Sequence, residues 1–132
     1  MKFVPLICRI LLGLMFVVFG ANIIHPFIPM PPLPPPDSLQ GHFMAAMGPS
    51  GWIKVVGAFQ VVGGLLVLIG GTVPLGLVIL CPIIVNILIF HLLMEDGKGI
   101  VPGAVAALLA ILLAYFYRTS FAGILSTKAR PA

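Results

Sequence analysis

Four apolar stretches, each about the length of a membrane span, leave this chain few ways to fold. They are "PLICRILLGLMFVVFGANIIH" (5–25), "GWIKVVGAFQVVGGLLVLIG" (51–70), "PLGLVILCPIIVNILIFHLLM" (74–94) and "IVPGAVAALLAILLAYFYRTS" (100–120). A helix of roughly 20 residues crosses the hydrocarbon of a bilayer. It also satisfies its own backbone groups, which lipid cannot do. The expected fold class is all-α: a four-helix transmembrane bundle forming one integral membrane domain over residues 1–132.

Composition supports the same solvent. Hydrophobic residues make up 61% of the 132 residues and charged ones 8%. A soluble domain is nearer one quarter charged, so seven Lys and Arg with three Asp and Glu cannot cover a water-exposed globule. The basic residues are scattered and form no face for nucleic acid. Lys2, Arg9, Arg118, Lys128 and Arg130 fall at one end of the expected bundle, Lys54 and Lys98 at the other. The positive-inside rule then places both termini in the cytoplasm and the proline-rich connection "PFIPMPPLPPPDSLQG" (26–41) outside. Arg9 interrupts the first run and no small-x-small cleavage site follows it, so that run reads as a retained helix. Proline-rich backbone favours an extended connection, with "HFMAAM" after it as a short interfacial helix.

Cys8 and Cys81 form no CxxC motif, which disfavours a thiol-disulfide enzyme with a paired-cysteine site. Both belong to the cytoplasmic half, where a disulfide is disfavoured. His42, Met44 and Met47, with Met30 nearby, offer ligands that suit Cu(I). Met and His are also common at membrane interfaces without metal, so no metal site is assigned. His25 and His91 both lie toward the outer side, and nothing in their spacing demands haem. No serine shows the signature of an activated nucleophile.

Function is sought in the polar residues within the spans. Gln60 and Asn86 fall near the bilayer midplane. They are expected to bond each other or a free carbonyl, either as polar glue or as ligand contacts. His91 and Glu95 share a helix face at i and i+4, whereas Asn86 and His91 are about 140° apart. Asn22, His25, Lys54, Glu95 and Asp96 lie at the depth of His91, and together they suggest a polar pocket open to the outside. Lys54 alternatively snorkels, and Asp96 alternatively only ends its helix. Arg9 shares a face with Gly13, Phe16 and Gly20 and is expected to point inward, as a structural or ligand-pairing charge. The glycines themselves read as close-approach positions between helices.

"RILLGLMFVVFGAN" (9–22), "KVVGAFQVVGGLLVLIG" (54–70) and "PIIVNILIFHLLM" (82–94) resemble the DoxX and DoxX-like family of small four-helix bacterial membrane proteins. The resemblance rests on an R-x3-G-x2-F-x3-G face in the first block and N-x4-H in the third. It implies a bundle in the bacterial inner membrane. Some members of that family are subunits of a thiosulfate:quinone oxidoreductase, and others belong to redox-stress complexes. Many carry Glu where this chain has Gln60 and Lys where it has Asn22. The reading that follows is a membrane subunit or accessory protein of a redox system, binding a quinone-like or other lipophilic molecule. Arg9, Gln60 and Asn86 would line its interior, and His91 with Glu95 would relay a proton. The competing reading is a non-enzymatic scaffold or assembly partner. A small-solute transporter ranks last, because the cytoplasmic half offers little polar path beyond Arg9 and Thr72. Expected partners are the lipid bilayer, redox-enzyme subunits and further copies of the chain.

Overall fold

The computed structural model describes residues 2–128 and 130–131. They form five α-helices and no strand: α1 (Phe3–Ile24), α2 (Leu39–Met47), α3 (Trp52–Ile69), α4 (Val73–Met94) and α5 (Ile100–Phe116). By length and composition α1, α3 and α4 suffice to cross a membrane, and α5 is a shorter apolar helix. It ends at Phe116 rather than 120, and a 3-10 turn follows over Arg118–Phe121.

Local chemistry sets the boundaries. α1 stops at His25, whose backbone is extended as expected of a residue before proline. Ser38 caps α2 by accepting the Gly41 N–H at 3.0 Å, so this helix begins ahead of the "HFMAAM" segment. α3 runs between Gly51 (φ +78°) and Gly70 (φ +86°), a conformation that side chains resist. α4 carries Pro74 in its first turn and continues through Pro82. Its exit is turned by Asp96 and Gly97, both at positive φ.

Glycine governs the contact between α1 and α3. A Cβ built on Gly20 would meet the Gly57 carbonyl oxygen at 2.7 Å, and one on Gly64 would meet that of Gly13 at 2.8 Å. The two helices therefore run antiparallel with their backbones touching at two levels, where dispersion and backbone contact replace the hydrophobic drive that lipid removes. α3 and α4 repeat the device at Gly63 and Gly76. α4 then packs on α5, and α5 returns to α1.

The interior is asymmetric along its length. At the end carrying the N-terminus, Leu12, Val67, Val73, Leu80 and Leu113 are wholly buried and fill the space between the helices. Toward the opposite end, where α2 lies, the interior is hollow.

Candidate functional site

The hollow is a cavity of about 580 Å³, a size suited to a small organic ligand. Met15, Phe16, Phe19 and Ile23 of α1 form one wall, and Trp52, Ile53, Val56 and Gln60 of α3 the next. α4 presents Ile83, Asn86, Ile87, Phe90 and His91, and α5 presents Pro102, Gly103 and Ala106. α2 lies over it through Phe43, Met44 and Met47, and Phe43 meets Phe90 at 5.2 Å between ring centroids.

Three polar groups interrupt this apolar lining. Gln60 is only 5% exposed, and its amide has no hydrogen-bond partner among the described residues. Among the described residues no polar side-chain atom is sealed away unpaired, so that amide opens onto the cavity. Asn86 donates from Nδ2 to the Pro82 carbonyl one turn back, at 2.9 Å, which leaves its Oδ1 free to accept. Of the two partners expected for these amides, each other or a free carbonyl, the Gln60–Asn86 hydrogen bond is not made, and both amides line the cavity. Asn86 instead satisfies itself on its own helix.

His91 Nδ1 and the Glu95 carboxylate are hydrogen-bonded, and both side chains are about three-quarters buried. Gly99 lies directly behind the pair; a Cβ there would come within 3.2 Å of the imidazole. Asn86 and His91 were expected on different faces, yet both line the cavity. They mark the two edges of a stripe about 140° wide, with Ile83, Ile87 and Phe90 between them, and the cavity is broad enough to meet both edges. Two amides and an imidazole in an apolar chamber are suited to a lipophilic molecule with a few hydrogen-bonding atoms. The His–carboxylate pair adds a proton donor and acceptor at its rim.

None of the residues expected at an outward pocket, Asn22, His25, Lys54, Glu95 and Asp96, lines the cavity itself. His25, Lys54 and Asp96 are exposed and do not line the cavity. Asn22 is 2% exposed but turns toward the proline-rich connection. Its Oδ1 accepts the N–H groups of Phe27 (2.8 Å) and Ile28 (2.7 Å), and its Nδ2 reaches Met30 Sδ at 3.1 Å. Arg9 points inward, as its helix face requires, but at the opposite end of the molecule from the cavity. Its Nε donates to the Val67 carbonyl at 3.2 Å and its second guanidinium nitrogen to Leu68 at 2.7 Å. It thus caps the last turn of α3 with a positive charge where the helix dipole is negative.

Sequence reasoning missed the aromatic and thioether lining. Met44 and Met47 were weighed as metal ligands with His42; the two Met side chains face the cavity and His42 is exposed. Trp52 and Phe90 carried no signal beyond their hydrophobicity.

No curated protein and no solved structure matches the chain. The DoxX family model matches residues 4–92, a stretch that contains Gln60, Asn86 and His91 and ends before Glu95. The R-x3-G-x2-F-x3-G face lies within it, and by that match the chain belongs to the DoxX family.

Proposed function

We propose that this DoxX protein is the membrane subunit or accessory protein of a redox system, and that its cavity binds a quinone-like lipophilic molecule. The reading places a four-helix transmembrane bundle of α1, α3, α4 and α5 in the bacterial inner membrane. The excess of Lys and Arg at the N-terminal end supports a cytoplasmic position for both termini. One observation carries the ligand: the Gln60 amide, 5% exposed and without a protein partner, faces an apolar chamber. An unpartnered amide in such surroundings costs free energy that a bound carbonyl would recover. Asn86 Oδ1 supplies an acceptor for a hydroxyl on the reduced form. His91, backed by Glu95, supplies the proton that reduction of a carbonyl to a hydroxyl consumes. The electrons would come from a partner subunit. The close-packed half, with Leu12, Val67, Leu80 and Leu113, closes the far end of the cavity and argues against a solute path through the molecule.

Trp52 is the sole tryptophan and lines the cavity, so it reports occupancy. Titrating purified protein in lipid nanodiscs with a short-chain benzoquinone should quench Trp52 saturably, and Gln60→Leu should weaken the apparent affinity at least tenfold. Equal, non-saturating quenching of both proteins would overturn the reading.

A further inference from the structure

The cavity's two ends and its α1–α3 side are occupied by other parts of the chain. α2 roofs one end, with Phe43 against Phe90. The buried core fills the other. α1 and α3 are locked backbone to backbone by their glycine pairs. The seam between α1 and α5 is different. Along its outer surface runs a separate apolar depression of about 390 Å³, formed by Leu11, Leu14 and Val18 of α1 and Val105 and Leu109 of α5. Met15 and Phe19, one turn apart on α1, line both this groove and the inner cavity. On the α5 side of the cavity stand Gly103 and Ala106, which add little bulk. Phe19 is 48% exposed. Every side chain lining the groove is apolar, so no hydrogen bond holds it shut. Met15 and Phe19 are thus the residues that the two spaces share, and Met side chains change rotamer with little penalty.

We propose that the α1–α5 seam is the lateral entrance by which an amphiphile with a carbonyl-bearing ring and a single long hydrocarbon chain passes from the bilayer into the cavity, and that the outer groove holds its chain once the head has reached Gln60. The inference rests on the cavity being a ligand site, as read above. Such an amphiphile resides in the bilayer, and transfer through water would cost free energy for every methylene exposed. A side entrance avoids that transfer. The groove begins where the cavity wall ends, so head and chain can be accommodated at once without unpacking a helix.

The test compares two probes by Trp52 quenching in nanodiscs: a tailless tetramethylbenzoquinone and a benzoquinone bearing a decyl chain. Filling the groove with Leu14→Phe and Val105→Phe should weaken decylbenzoquinone binding at least tenfold and leave the tailless probe within twofold. Thinning the wall with Phe19→Ala should speed association of the decyl probe severalfold. If the filled groove binds both probes as wild type does, or loses both equally, the entrance is overturned and the cavity reading stands. If wild type is quenched saturably by neither probe, the cavity reading falls and this inference with it. Should the doubly filled variant not fold, an unchanged association rate in Phe19→Ala overturns the entrance on its own.

Discussion

Gly13 and Gly64 meet backbone to backbone: a Cβ on Gly64 would lie 2.8 Å from the Gly13 carbonyl oxygen and 3.0 Å from the Val17 nitrogen. Neither atom belongs to a side chain that can rotate away, so helix α1 as a whole would have to move. Gly64→Leu is therefore expected to destabilise by about 3 kcal/mol, the upper range of overpacking. That corresponds to a Tm fall on the order of 10 °C in detergent. Gly71→Ala is the control, because a Cβ there meets nothing within 4 Å. Thermal unfolding that leaves Gly64→Leu level with this control would show that the helices do not touch here.

Arg9 and Gly70 form a second dependent pair. A Cβ on Gly70 would strike the Arg9 guanidinium at 2.6 Å, and the residue's φ of +86° already disfavours a side chain. Arg9→Met removes a charged donor from two carbonyls at the end of α3 and should cost about 2 kcal/mol. Gly70→Ala should cost a similar amount. Measured by chemical denaturation, the double variant should lose less than the two singles added together, since the clash disappears with the guanidinium while the backbone strain remains. Full additivity would contradict the cap geometry.

The three long apolar helices and the Arg9–glycine face were legible because they depend only on hydropathy and helical period. The cavity was not, for a geometric reason. Counting residues along a helix gives depth, and depth groups Gln60 with Asn86 and His25 with Lys54. It does not fix the rotation of each helix or the gap between helices. Gln60 and Asn86 both line the cavity with no hydrogen bond between them, while His25 and Lys54 are exposed. His91 and Glu95 lie on one helix at i and i+4, where period alone settles the contact, and that pair is present. The role of Asn22 required the path of a proline-rich connection, which no periodicity encodes.

That connection gives a third prediction. Asn22 Oδ1 accepts two backbone N–H groups, from Phe27 and Ile28. Asn22→Ala leaves both without their partner and should cost about 1–3 kcal/mol. The loss should be felt first as faster proteolytic cutting within residues 26–37. Asn22→Asp keeps the acceptor and should remain more resistant than the alanine variant. A lysine, which has no acceptor, should behave like alanine. Limited proteolysis of the three variants under native conditions checks the order; alanine as resistant as wild type would mean the anchor is dispensable.

Gln60 separates a packing role from a ligand role more sharply than any other position. Had it bonded Asn86, its removal would strand a buried amide and lower stability. Its side chain is 5% exposed and has no partner among the described residues. Gln60→Leu replaces it with an apolar group of similar volume facing an apolar cavity, so no hydrogen bond of the folded protein is lost. Its Tm should equal or exceed that of wild type. Asn86→Leu loses only a bond to its own helix and should change stability by less than about 1 kcal/mol. The double variant should be additive, because no hydrogen bond joins the two amides. A marked Tm loss in Gln60→Leu that Asn86→Leu reproduces and does not deepen would instead reveal a coupled amide pair, with the cavity collapsed around it.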